Sequence, residues 1–172
     1  MTVAMAELVA RLHAQLRSAG QTVAVAESLT GGLVAAALTE TPGASATFRG
    51  GLTVYATDLK ASLAGVPTEL LERKGAVDPE VAIELARGVR RRLSASWGLG
   101  VTGVAGPDPQ DGQAVGTVFV GVAGPAEAGE TVAELNLSGD RNMIRRQTVE
   151  HVVTLLLTSS AQRSAEGADK LE

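Results

Sequence analysis

Four side chains, Ser28, Thr30, Tyr55 and Lys60, have the types and spacing to do chemistry, and the stretch Ala26-Glu27-Ser28-Leu29-Thr30-Gly31-Gly32 gathers two of them. A short apolar run, Val23 to Ala26, reads as a buried strand that stops at an acid, two hydroxyls and two glycines. From Leu33 the pattern turns amphipathic and reads as a helix. Such a strand exit brings hydroxyls and free backbone N–H groups together, a setting for a nucleophile or for an anion held at a helix N-terminus. The same residues have an ordinary reading, with Thr30 as an N-cap and the glycines as a tight turn.

Lysine is scarce: only Lys60, Lys74 and Lys170 occur. Lys74 closes a short helix, where a cation is favourable, and Lys170 lies near the C-terminus. Lys60 follows the second strand, five residues after Tyr55, so both could reach one pocket. The chain has no cysteine and neither histidine is suitably placed. The available activator for a serine is therefore a neutral lysine, whose pKa must be lowered by burial or nearby cations. A solvated helix lysine is the other reading.

Arg141, Arg145 and Arg146 fall in the first turns of the final helix, the wrong end of the dipole for a cation. Arg141 and Arg145 share a face. A bound anion such as a phosphate explains them; pairing with Asp140 or Glu150 is the alternative. A second glycine-rich strand exit runs Thr102-Gly103-Val104-Ala105-Gly106-Pro107-Asp108.

These residues must be positioned by a chain of 172 residues, enough for one domain with a real core. It is 45% hydrophobic, with Phe48, Tyr55, Trp97 and Phe119 its only aromatics, so Ala, Val and Leu build the core. A net charge of −4 argues against a broad nucleic-acid surface. Without cysteine there is no disulfide, thiolate or Cys-zinc chemistry. His13 and His151 are far apart, so no metal site is expected, with carboxylate-bound Mg²⁺ left open. His13 reads as a structural or solvated helix residue. Arg87 and Arg90-Arg91-Arg92 read as the solvated side of a helix. No membrane segment or leader is seen, and a soluble cytoplasmic protein is expected.

Helical spacing covers 3–19, with Gly20 as stop, then a strand at 22–27 and a helix at about 31–40. Residues 48–55 read as a loop entering the second strand, followed by a short helix carrying Lys60 and another at 68–74. Asp78-Pro79-Glu80 opens a helix to about Ser96. Strands follow at 97–104, 115–122 and 131–137, the last two hairpin-like, before a helix capped by Ser138-Gly139-Asp140. The order α-β-α-β-α-α-α-β-β-β-α implies an α/β fold, a three-layer α/β/α sandwich on a mixed sheet. One domain spans 1–160, and 161–172 reads as a polar tail.

Taken together, six segments resemble the CinA C-terminal domain family, the nicotinamide-nucleotide amidohydrolases or NMN deamidases. They are Ala26 to Gly32, Tyr55 with Lys60, Gly75-Ala76-Val77, Gly103 to Pro107, Val115 to Val118 and Ser138 to Arg141, in the family's order. The resemblance covers about 5–160 and is that of a stand-alone form, without the additional N-terminal domain of larger CinA proteins. It departs at Leu29, where the family usually has Cys, at Pro109-Gln110-Asp111-Gly112 in place of glycines, and at Gln113-Ala114 in place of Lys-Pro.

The resemblance implies hydrolysis of the carboxamide of nicotinamide mononucleotide to nicotinic acid mononucleotide and ammonia, within pyridine nucleotide recycling. Ser28 is then the nucleophile and Lys60 the base, with Tyr55 as relay or orienting group. Oxyanion donors would come from Thr30-Gly31-Gly32 or Thr102-Gly103, and the phosphate would sit against Arg141 or Arg145. Glu27 would orient the loop rather than act as a base. No cofactor is implied, and a homo-oligomer, a dimer, is expected. The alternative is a non-catalytic nucleotide-binding or protein-interaction module.

Overall fold

The computed structural model describes residues 2–126 and 128–168, with side chains omitted from 162 onward. The elements come in the expected order: α1 Val3–Ser18, β1 Val23–Glu27, α2 Leu33–Thr39, a 3-10 turn Ala44–Ala46, β2 Phe48–Thr53, α3 Thr57–Ser62, α4 Thr68–Lys74, α5 Pro79–Arg92, β3 Trp97–Gly103, β4 Thr117–Ala123, β5 Glu130–Asn136 and α6 Arg141–Ala168. The sheet order is β2-β1-β3-β4-β5; β2, β1 and β3 run parallel, while β4 and β5 pair antiparallel.

The two faces are covered differently. Val9, Leu12 and Leu16 of α1, Val34 and Leu38 of α2, and Ile144, Val152 and Leu156 of α6 pack with Val23, Val25, Leu99 and Val101 of the sheet. On the other face Ala64, Leu70, Leu71, Val81, Leu85 and Val89 from α3 to α5 and their connections pack against Ala24 and Ala26. Small strand residues allow this close seating. A Cβ added at Gly98, Gly100 or Gly121 would come within 2.0, 2.1 or 2.4 Å of an α5 carbonyl oxygen. Helix α5 therefore lies directly on strand backbone.

Strand β1 is buried on both faces, which explains its unbroken apolar run. Strand β5 is mostly exposed, carries Glu130 and Glu134, and forms a polar sheet edge. Boundaries moved where glycine misled the propensity reading. Gly50-Gly51 lie inside β2, which spans Phe48–Thr53 rather than opening after a loop, and Tyr55 lies beyond it. Helix α5 stops at Arg92 rather than near Ser96, because Ser94 turns left-handed with φ 49°. Of the expected tail, the backbone of α6 continues as helix to Ala168, and 169–172 lie outside the described residues.

Chain direction sets the site. From β1 the chain crosses through α2 on one face to β2, and from β2 through α3 to α5 on the other face to β3. Strands β1 and β3 are neighbours, and from their carboxyl ends the chain leaves β1 toward β2 and leaves β3 in the opposite direction, toward β4. A crevice outside the carboxyl ends of such strands is where open α/β sheets bind ligands.

Candidate active site

Both glycine-rich exits meet at that crevice. A cavity of about 140 Å³ is lined by Ser28 from the β1 exit, Tyr55 after β2, Ala76 before α5, Thr102 at the end of β3, Gln110 from the β3–β4 loop and Arg141 from α6. Residues from five separate segments therefore converge there.

The β1 exit is built by Glu27. Its carboxylate is 1% exposed and accepts the N–H groups of Gly32 at 3.0 Å, Val34 at 3.0 Å and Ala35 at 2.8 Å. These are the donors that an α-helix leaves unpaired in its first turn, and an acid complements that end of the dipole. The cap of α2 is thus the last strand residue and not Thr30; Gly32 stands at the cap position without a side chain, with φ 98°. The chain bends sharply through Ser28, whose N–H donates to Val101 O at 3.0 Å and whose carbonyl accepts Gly31 N–H at 3.0 Å.

Lys60 is 1% exposed and set behind Ser28, outside the cavity lining. Its Nζ lies 3.1 Å from Ser28 Oγ, 2.9 Å from Val54 O and 3.1 Å from Tyr55 O. A neutral amine has two N–H donors and one lone pair. The ammonium donates to all three oxygens; in the neutral form the two carbonyls, which can only accept, take both hydrogens and leave the lone pair for the Ser28 hydroxyl proton. Burial lowers the Lys60 pKa, and the negative charges of Asp111 and Asp58 oppose that shift. The pair is geometrically competent for proton transfer out of the serine. Ser28 itself is 9% exposed and opens on the cavity.

The other expected site residues divide. Tyr55 is 58% exposed, and its hydroxyl accepts from Arg141 at 3.0 Å; only its backbone carbonyl touches Lys60. It therefore does not relay protons between Lys60 and Ser28. Arg141 also donates to Gly106 O at 2.9 Å, so it spans the mouth between Tyr55 and the β3 exit. Arg145 lies outside the cavity lining and donates to Leu29 O at 2.9 Å and Thr30 O at 2.8 Å. The wrong-end cation is thus explained for Arg145 by the turn's carbonyls and not by a bound anion. A salt bridge with Asp140 or Glu150 is absent among the described residues for both arginines.

Gly31 and Gly32 are equally absent from the lining, and their N–H groups are engaged by Ser28 O and Glu27. They are structural turn residues rather than oxyanion donors. Among the described residues, the N–H groups of Leu29 and Thr30 have no partner, and Thr30 Oγ1 is buried without one. Thr102 and Gly103 line the cavity, but the Thr102 hydroxyl donates to Ala76 O at 2.6 Å. Among the described residues, no group of three or more His, Asp or Glu side chains is placed to hold a metal ion. No described helix is long and apolar enough to cross a membrane.

His13 is a core residue. It is fully buried, with Nε2 at 2.8 Å from Leu38 O and Nδ1 at 2.5 Å from Thr47 Oγ1. Sequence reasoning missed Asp111, whose carboxylate reaches Ala76 N–H at 2.7 Å. Its flanking Gly112 signals a turn but nothing local signals that contact.

Residues 5–160 match the CinA C-terminal domain. A CinA-like protein of Frankia casuarinae is 51% identical over 135 residues, covering 78% of this chain and 31% of that protein. One from Anaeromyxobacter dehalogenans is 47% identical over 146 residues, covering 83% of this chain and 35% of that protein. The chain thus spans about a third of the length of these curated relatives. Among solved structures, the competence/damage inducible protein CihA from Agrobacterium tumefaciens superposes with a TM-score of 0.86 at 34% identity, covering 90% of this chain and 94% of that one. A CinA superfamily protein from Klebsiella pneumoniae superposes with a TM-score of 0.87 at 26% identity, covering 92% and 98%.

Proposed function

The chain belongs to the CinA C-terminal domain family, and from that premise we propose that it is an amidohydrolase that converts nicotinamide mononucleotide to nicotinic acid mononucleotide and ammonia. The observation that carries this reading is the buried Lys60 amine 3.1 Å behind a serine hydroxyl that opens on a small cavity. A binding module has no use for a lysine desolvated in that position.

In this reading the carboxamide enters the cavity and its carbonyl carbon meets Ser28 Oγ. Neutral Lys60 takes the hydroxyl proton as the C–O bond forms. The carbonyl oxygen becomes an oxyanion, for which the free N–H groups of Leu29 and Thr30 are the candidate donors. As the C–N bond breaks, Lys60 returns its proton to the departing ammonia. Water, deprotonated by the same amine, then hydrolyses the ester and restores Ser28. The phosphate would lie at the mouth, where exposed Arg141 and the Tyr55 hydroxyl offer a cation and a donor.

The test is ammonia release from nicotinamide mononucleotide by the purified protein with chelator present. Turnover is expected, and none from nicotinamide mononucleotide or other pyridine carboxamides would favour the non-catalytic nucleotide-binding reading.

A further inference from the structure

The β3–β4 loop carries most of this sequence's departures from the family pattern, and one side chain fastens it. Gln110 and Gln113 close its tip, exchanging backbone bonds at 3.1 and 2.8 Å. Between them Asp111 takes a left-handed φ of 52°, a conformation uncommon for a residue with a side chain. From there its carboxylate reaches away from the loop and accepts Ala76 N–H at 2.7 Å.

The recipient backbone is shaped for it. Gly75 has φ 77°, and a Cβ there would lie 2.8 Å from Asp111 Cγ, so the carboxylate occupies the place of a side chain. The Ala76 carbonyl is held from the other side by the Thr102 hydroxyl at 2.6 Å. Ala76 and Val77 form one wall of the cavity, and Asp108 and Gln110 of the loop form another. The Asp111 contact therefore ties two walls together beside the Ser28–Lys60 pair.

The carboxylate also acts at a distance. Around Lys60, the Ser28 hydroxyl and the Val54 and Tyr55 carbonyls are neutral. Asp58 comes from its own helix and Asp111 from the β3–β4 loop. Other charges nearby are committed elsewhere: Glu27 to the amides of α2, Asp78 to Lys74 and the Glu80 amide, and Arg141 to Tyr55 and Gly106.

We propose that Asp111 is a positioning residue for the Ser28–Lys60 pair, fastening the loop to the Gly75-Ala76 wall of the cavity on which Ser28 opens and bringing a negative charge to bear on the Lys60 amine. This rests on Lys60 being the base of the proposed amide hydrolysis. Burial favours the neutral amine, and Asp111 limits that preference more than Asp58 does. The loop thereby helps set the lowest pH at which the amine can accept a proton.

Only three lysines occur, so ¹³Cε-lysine NMR can follow Lys60 directly, its signal assigned by its absence from Lys60→Met. Asp111→Asn keeps an oxygen to accept Ala76 N–H but loses the charge; Asp111→Ala loses both. In Asp111→Asn the Lys60 titration is expected to move to lower pH, and the acid limb of kcat with it, while KM changes little. Asp111→Ala is expected to raise KM as well. An unmoved Lys60 titration in Asp111→Asn overturns the proposal, whether or not Asp111→Ala folds. A titration that moves in a protein releasing no ammonia upholds the electrostatic role of Asp111 and sinks the amidase reading instead.

Discussion

The exits of β1 and β3 lie side by side at one end of the sheet and are built on opposite plans. In the first, residues 26–30 are all buried, and Glu27 and Arg145 hold the turn from both directions, one through its N–H groups and the other through its carbonyls. In the second, residues 107–112 are exposed and depend on the Asp111 contact and the Gln110–Gln113 pair. A nucleophile must be held within a fraction of an ångström of its working position, which suits the first plan. A cavity wall can vary in sequence and adjust to what enters, which suits the second. The family departures follow the same division: Leu29 alone in the first exit, and Pro109 to Ala114 in the second.

Breaking the first exit has the larger consequences. Glu27→Gln leaves three helix N–H donors, that of Val34 buried, facing a neutral amide. It is expected to cost about 3 kcal/mol in a denaturant titration, hydrogen bonds to charged groups being worth about 1.5–3 kcal/mol, and to lower kcat. Arg145→Ala is expected to cost about 2 kcal/mol by leaving Leu29 O unpaired and Thr30 O with only the Leu33 N–H. Arg141→Ala, one helical turn away, is expected to leave stability within about 0.5 kcal/mol and raise KM for phosphorylated substrate. An Arg145→Ala protein with wild-type stability and a defect only in KM would return that residue to the anion site and erase the contrast.

The far end of α2 offers a pH test of the same rigidity. Leu38 O can only accept, so Nε2 of His13 carries a proton. Burial pushes its pKa down, the Leu38 bond raises it in part, and the Arg17 cation lowers it further. The unfolded histidine takes up its proton at about pH 6.5 and the folded one only at lower pH. Its contribution is therefore complete above about pH 6.5 and is lost as pH falls toward the folded value. Urea midpoints on either side of that pH should show the loss, and His13→Gln should flatten it. The smallest effect belongs to the second exit: Gln110→Ala should change stability by less than about 0.5 kcal/mol while altering KM.

Much of this arrangement was legible in the sequence because it is local. An apolar run ending in Glu-Ser and two glycines marks a strand exit, and a lone lysine one helical turn past a strand marks a candidate base. What escaped is carried by backbone or by distance. Thr30 had the residue type of an N-cap, but a glutamate from the strand reached the α2 amides first, because a buried carboxylate satisfies several at once. Tyr55 and Lys60 are close in sequence, yet the contact uses the tyrosine carbonyl, which any residue possesses. Arg141 and Arg145 share a helix face, but one turn of rise, about 5.4 Å, separates a cavity mouth from the underside of a turn. Asp111 meets Ala76 across 35 positions, and no spacing rule reports that.

The central claim is that Ser28 and Lys60 act as one unit in cleaving the amide. A double-mutant cycle on ammonia release from nicotinamide mononucleotide, with Ser28→Ala, Lys60→Met and the double variant, tests it most directly. Each single change is expected to lower kcat by at least about a thousandfold, and the double variant to be no worse than either, as for residues of one catalytic unit. Near-wild-type turnover in Ser28→Ala, or losses that multiply in the double variant, would contradict it.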